Sequence, residues 1–256
     1  MESTHGVIEV SATPEYVLSV FQDQQRLYFL LDYDEHPREV LSFESTIEEW
    51  RSQMDLVGWR ALGRAENKFW KMNLSDQEWR QVLKPEREKT LRGVCALIAQ
   101  HASTPVIREV IFFGKPCRPA SVFLTIRALL QEAGADVSEI APSTLLVDYT
   151  SKYSGDFLWT ISRLAPGTMP EPRIENQGLY QAADLCLLWT IGASLFFLFF
   201  ISICVWVLIV PACLFLIFLS LRWKYERQGG RKLQLGTLKT FRDLSELIAQ
   251  RAAFQA

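Results

Sequence analysis

The chain has 256 residues, of which 49% are hydrophobic and 22% are charged, and its formal net charge is −2. This length allows one or two domains. The composition is that of a globular protein and excludes a disordered, collagen-like or disulfide-stapled chain.

The charge is unevenly distributed along the chain. Residues 1–184 carry a net charge of −7 and residues 222–256 a net charge of +5. An acidic amino-terminal part is unsuited to phosphate binding, so we expect no nucleic-acid partner. A basic tail suits anionic lipid headgroups, where each Lys or Arg contributes about 1 kcal/mol.

Residues 1–164 are predicted to form a helix-rich α+β domain with few short strands. Two helix starts, at Thr46 and Ser75, have the capping-box spacing. In chain order the prediction gives a strand at 7–10, a helix from 14, a strand at 26–33 paired with 40–43, helices from 46, 56, 75 and 85, a strand at 110–113, a helix at 119–133 and a strand at 145–147. No internal repeat is expected.

A proline-rich linker is predicted at residues 165–184, followed by an apolar run at residues 185–221. The run contains no Asp, Glu, Lys, Arg or His. As a single helix it would extend about 55 Å, against a hydrocarbon core of roughly 30 Å. We therefore expect a transmembrane or re-entrant hairpin of two short helices with its apex near 203–211. One kinked or overlong span is the alternative.

The flanks of the apolar run predict its orientation. Tryptophan recurs every 17 residues, which would place alternate indoles at opposite bilayer interfaces. Basic residues follow the run closely, so the positive-inside rule predicts that the tail and the large domain are both cytoplasmic. The predicted interface residues are Trp189, Trp206, Trp223, Arg222, Lys224 and Arg227.

The basic tail, residues 222–256, is expected to end in a short amphipathic helix. Its apolar residues recur at helical spacing, from Leu238 through Phe241 and Leu244 to Ile248. The opposite face carries both signs of charge. This pattern favours packing on the domain or on another subunit over a position at the bilayer surface.

The best local candidate for a site is the predicted strand-to-helix turn containing Lys115, Cys117, Arg118 and Ser121. Free backbone N–H groups at a helix start, together with two basic side chains, favour anion binding or a reactive thiol. An ordinary turn with a partly buried cysteine is the alternative. The segment lacks a complete P-loop, and we assign no catalytic residue.

Asp32, Asp34, Glu35 and His36 form the only cluster of plausible metal ligands in the sequence. Adjacent residues of a hairpin turn usually point into solvent. We therefore predict no metal site and no cofactor.

These features together favour a membrane-anchored protein whose cytoplasmic domain binds or scaffolds a protein partner, or associates with itself. Two other functions stay open. One is a membrane-tethered enzyme or anion binder that uses Cys117, Lys115 and Arg118. The other is an oligomeric membrane effector whose domain senses a ligand.

Overall fold

A computed structural model describes residues 7–29, 39–54, 56–175, 216, 218–220 and 232–255 of the chain. Within these ranges the protein is rich in helix and has a few short strands, so the predicted α+β composition is confirmed. The helices are α1 (Pro14–Phe29), α2 (Ile47–Gln53), α3 (Trp59–Trp70), α4 (Asp76–Leu83), α5 (Leu91–His101), α6 (Arg118–Glu132), α7 (Val147–Thr150) and α8 (Phe241–Ala249). A π-helical segment (Asp156–Ile161) and a 3-10 turn (Ser162–Leu164) follow α7.

The strands of the described ranges form three small sheets. They are β1 (Val7–Ser11), β2 (Ser103–Arg108), β3 (Ile111–Phe112), β4 (Lys115–Pro116), β5 (Pro172–Glu175), β6 (Lys232–Leu235) and β7 (Phe254–Gln255). Strand β2 is central in the first sheet, antiparallel to β1 and parallel to β7. Strands β3 and β4 form a hairpin, and β5 pairs with β6 in antiparallel register.

The described residues are organised around two hydrophobic cores. The first core lies among α1 to α5 and includes the fully buried Phe21, Trp79 and Ile98. The second core lies among α6, the π-helical segment and α8, and includes Phe157 and Phe241. Both cores are built from apolar residues spaced three and four apart, because that spacing brings one face of a helix into the interior.

The predicted strand at 26–33 is wrong where the structure describes it, since α1 continues through Phe29. Leu27 is fully buried, ten residues after Val17 on the same helix, so packing against the core overrides the strand propensity of the local sequence. The predicted strand at 145–147 is reduced to one bridge between Leu145 and Thr240, and α7 begins at Val147.

The first part of the predicted linker packs onto the domain. Ala165 and Met169 are buried in the second core, and β5 pairs with β6 from the tail. The helix predicted in the tail is present as α8, whose residues Phe241, Leu244 and Ile248 are buried. The acidic domain and the basic tail therefore share one core.

Helices α5 and α8 have related sequences, and the expectation that the chain contains no internal repeat is wrong. Each follows a threonine N-cap, Thr90 or Thr240, and leads into a strand of the same sheet. Residues 90–102 and residues 240–252 share, at equivalent positions, Thr, Arg, Leu, Ile, Ala, Gln and Ala in that order.

The turns that contact these two helices also match, one hydrogen bond after another. In the first half the N–H groups of Leu91, Arg92 and Ile47 donate to the carbonyls of Ser45, Phe43 and Lys89, respectively. In the second half the N–H groups of Phe241, Arg242 and Leu146 donate to the carbonyls of Thr144, Pro142 and Lys239 in the same order. Bridges join Thr46 to Thr90 in one half and Leu145 to Thr240 in the other. Phe43 is therefore equivalent to Pro142, and Arg92 to Arg242.

Helices α1 and α6 are also equivalent in the two repeats. Each has a proline in its first turn, and buried residues follow that proline at the same spacings. Pro14, Val17, Val20 and Phe21 of α1 match Pro119, Val122, Thr125 and Ile126 of α6. Each repeat is thus a helix, a turn, an insertion and a second helix. The insertion comprises residues 47–89 in the first repeat and residues 146–239 in the second.

Among the helices of the described ranges, none combines the length and the apolar composition needed to cross a membrane. The apolar run at 185–221 lies outside those ranges except for residues 216 and 218–220. The predicted interface residues Trp189, Trp206, Trp223, Arg222, Lys224 and Arg227 also lie outside them.

Candidate functional site

A groove of about 450 Å³ lies between α6 and α8 of the second repeat. Phe112, Ala120, Phe123 and Pro142 contribute to its apolar wall. Cavities of this size that combine an apolar lining with a few polar groups are typical of ligand sites. The groove therefore meets the general requirements for binding an apolar group.

The polar rim of the groove is supplied by α8. Arg242 and Glu246 are exposed and lie one helical turn apart. Asp243, next to Arg242, is engaged at the start of the helix, where its carboxylate accepts hydrogen bonds from the N–H groups of Thr240 (2.9 Å) and Lys239 (3.0 Å). Among the described residues, Arg242 takes part in no ion pair. The pKa of Asp243 is lowered mainly by the N–H groups of Lys239 and Thr240 and in smaller part by the nearby charge of Arg242, whose exposed guanidinium stays accessible to a ligand.

The turn that leads into α6 is fixed by Ser121. Its buried hydroxyl donates to the carbonyl of Cys117 (3.0 Å) and accepts the N–H of Val110 (2.9 Å). The bond from Val110, which lies between β2 and β3, ties that segment to the first turn of α6, and the bond to Cys117 links Ser121 to the N-cap residue of the same helix. Ser121 thus positions Cys117, which is half-buried and contributes to the wall of the groove.

Arg118 and Lys115 have different surroundings. The Nε of Arg118 donates to the Glu109 carboxylate (2.9 Å), and its guanidinium lies 5.0 Å from the centre of the Phe254 ring. Lys115 is exposed on β4. Of the four residues predicted from the sequence, Cys117 lines the groove, while Ser121 and Arg118 make internal contacts. Anion binding at this turn stays a prediction.

The hairpin β3–β4 carries an exposed apolar tip beside the groove. Ile111 is 68% exposed, Phe112 is 47% exposed and Phe113 is fully exposed. Phe113 has φ of 49° and Gly114 has φ of 76°, which are the left-handed values that a tight two-residue hairpin turn requires. A left-handed conformation costs a residue with a side chain about 1–2 kcal/mol. A strained and exposed aromatic tip indicates a contact surface.

A buried carboxylic acid, Glu66, lies on α3 beside Trp70 of the first core. It accepts the indole N–H of Trp70 (3.0 Å), and burial raises its pKa to about 7 against smaller opposing effects from Trp70 and Arg163. Arg163 stacks over Trp70 at 4.5 Å and donates to the Phe69 carbonyl (3.1 Å). This cluster does not line the groove, and it joins the two cores.

The cysteine of the first core has a different character from Cys117. Burial, followed by the nearby negative charges of Glu66 and Glu15, raises the pKa of the Cys95 thiol to about 12. The thiolate is the reactive form of cysteine, so Cys95 is inert at neutral pH.

Within the part of the chain that the structure describes, no three His, Cys, Asp or Glu side chains are grouped as a metal site would need. The cluster of Asp32, Asp34, Glu35 and His36 lies outside that part. His101 ends α5, where sequence reasoning expects a favourable interaction with the helix dipole.

Sequence reasoning identified the turn around Cys117 but missed the groove. The groove depends on α8, which is more than 100 residues away in the chain, and on the small Pro142 at its edge. The available signal was the likeness of residues 90–102 to residues 240–252. Comparison of the chain with models of known protein families, with curated proteins and with solved structures found no match.

Proposed function

We propose that the chain is a membrane-anchored binding module in which residues 185–221 hold the protein in the bilayer. The groove between α6 and α8, together with the hairpin tip, binds an apolar group of a protein partner. The observation that carries the binding part is the open groove beside an exposed and strained aromatic tip. No catalytic constellation is part of this proposal.

The pairing of β5 with β6 supports an anchor that enters and leaves the bilayer on the same side. Glu175 is directly opposite Lys232 in this antiparallel pair. Paired backbones lie about 5 Å apart, so residues 176–231 leave the domain and return to it at one place. A single span would separate these two strands by the thickness of the membrane. Their pairing thus favours the two-pass or re-entrant hairpin.

Tags at the two chain ends test this part of the proposal. In sealed vesicles that contain the full chain, an amino-terminal and a carboxy-terminal tag should be digested together or protected together. Digestion of one tag and protection of the other would overturn the shared-side arrangement. As a control, replacing residues 176–231 with an Asn-Gly turn should keep the pairing of β5 with β6 and release the protein from the membrane fraction.

The hairpin tip gives a direct test of binding. A photo-crosslinking phenylalanine analogue at position 113 of the membrane-bound full chain should yield discrete protein adducts. Pro142→Phe should abolish these adducts, because an added ring fills the groove next to the tip.

Glu139→Phe is the matched control, since it adds the same ring to an exposed position of the same loop outside the groove. It should retain the adducts. Adducts that persist unchanged in Pro142→Phe, or none in the unsubstituted groove, would refute the binding module.

A further inference from the structure

The first repeat contains a filled version of the groove. Phe43 packs against the first core, and the guanidinium of Arg92 lies over its ring at 4.9 Å from the centre. Arg92 also forms an ion pair with the carboxylate of Glu44, the next residue. In this repeat the guanidinium of the arginine therefore contacts an aromatic ring and pairs with the carboxylate of the next residue.

The second repeat has the equivalent arginine, but it lacks both the aromatic ring and the carboxylate that the arginine of the first repeat contacts. Arg242 stands where Arg92 does, with the same backbone hydrogen bond to the turn (2.8 Å against 3.0 Å). Pro142 replaces the phenylalanine and Ser143 replaces the glutamate. The space beside the turn is open in this repeat, as a groove with Arg242 at its rim.

We propose that the groove of the second repeat binds an aromatic side chain with a neighbouring carboxylate, presented by a partner polypeptide. This inference rests on the proposed binding function and specifies the ligand. The ring would lie between Phe123 and Arg242, in the space that corresponds to the Phe43 ring. The carboxylate would pair with Arg242, as Glu44 pairs with Arg92.

The chemistry of the groove fits this ligand. An arginine over an aromatic face is an attractive pair, and a buried aromatic anchor beside a charged rim is the usual centre of a protein interface. The exposed hairpin tip extends the apolar surface along one side. Glu246, one turn from Arg242, would repel a carboxylate placed further along α8, and so restricts the acidic group to the arginine end.

Peptide binding to the full chain in phosphatidylcholine nanodiscs tests the ligand. The probe is a fluorescein-labelled peptide with an internal Phe-Glu pair flanked by Gly and Ser. Otherwise identical peptides with Phe-Gln and Ala-Glu separate the contributions of the carboxylate and the ring. We expect each replacement to weaken the fluorescence-polarisation affinity by about tenfold.

Variants of the chain locate the binding. Arg242→Gln should weaken the affinity for the Phe-Glu peptide about tenfold, and Pro142→Phe should abolish binding of that peptide. Glu246→Gln should strengthen it by removing a like charge, and Glu139→Phe should leave it unchanged. The bound peptide should also slow maleimide modification of Cys117, measured by mass spectrometry of the digested chain.

Equal affinity for the Phe-Glu and Ala-Glu peptides, or undiminished binding to Pro142→Phe, would overturn the inference. Equal affinity for Phe-Glu and Phe-Gln would overturn the role of the carboxylate. If no peptide binds while the adducts at position 113 still depend on an open groove, the ligand class is wrong and the binding module stands. If those adducts are absent as well, both the ligand class and the binding module are refuted.

Discussion

The buried Glu66 provides a quantitative test of the structure. Its side chain is 8% exposed and lies beside Trp70, and burial raises its pKa from 4.5 to about 7. The protonated form is therefore favoured in the folded protein. Replacement by glutamine gives a side chain that stays neutral at every pH and still accepts the indole N–H of Trp70.

The sign of the pH dependence follows from the raised pKa. Between pH 4.5 and pH 7 the folded chain binds more protons than the unfolded chain, so its free energy of unfolding falls as the pH rises. Above about pH 7 the unsubstituted protein carries the full cost of an ionised buried acid, about 3 kcal/mol. Glu66→Gln removes this cost. We expect the variant to gain about 2–3 kcal/mol relative to the parent between pH 5 and pH 8.

Urea unfolding of the full chain in detergent micelles, followed by tryptophan fluorescence at several pH values, measures this difference. The change with pH is the decisive quantity, because the glutamine amide adds its own constant cost where it lacks a partner. Glu78→Gln is the control. Its pKa is lowered by the hydrogen bond from the Ser75 backbone N–H, so the charged form stabilises the fold. This variant should lose stability at neutral pH, and the loss should shrink as the pH falls below 4.5, through the lowered pKa of Glu78 in the folded chain.

A difference between Glu66→Gln and the parent that stays flat from pH 5 to pH 8 would refute the buried position of this acid. If the effect of Glu78→Gln also fails to change as the pH falls below 4.5, the measurement does not follow the unfolding of the domain.

Three further outcomes are expected. Phe113→Asn should raise the free energy of unfolding by about 1 kcal/mol in urea titrations, because asparagine tolerates the left-handed turn, yet it should weaken partner crosslinking from a neighbouring position of the hairpin. Gly63→Ala should destabilise the domain by about 1–3 kcal/mol, since its new methyl group would lie 2.7 Å from the buried indole of Trp79. Gly93→Ala is the control, because its methyl group would meet nothing closer than 3.9 Å. It should be neutral or slightly stabilising in the same assay. A chain ending at residue 178 should show no cooperative unfolding, because it lacks β6 and α8, whereas the chain with 176–231 replaced by a turn should unfold cooperatively.

Local chemistry made many of the helices predictable. The capping boxes at Thr46 and Ser75 are both formed, with each helix start satisfied by the predicted glutamate three residues later. Residues 26–29 could not be assigned correctly from the local sequence. Their place in a helix depends on the buried position of Leu27 in the second core, and only the folded chain defines that position.

The candidate site was only partly predictable for a similar reason. Cys117 was recognised because the end of a strand and the start of a helix are both visible in the sequence. The opposing wall comes from α8, and the open volume depends on a proline in place of a phenylalanine. Neither fact has meaning until the two repeats are aligned, and insertions of different length between the related helices conceal that alignment.

The repeat changes how the apolar run relates to the rest of the protein. The run lies within the insertion of the second repeat, between β5 and β6, and α8 returns to the core after it. In the first repeat the corresponding insertion holds α2 to α4 and packs on its own core. The proposed anchor is therefore an insertion within the module that contains the groove. Because the strands at its two ends belong to that module, an anchor in the bilayer would also restrict how the groove is oriented towards a partner at the same membrane surface.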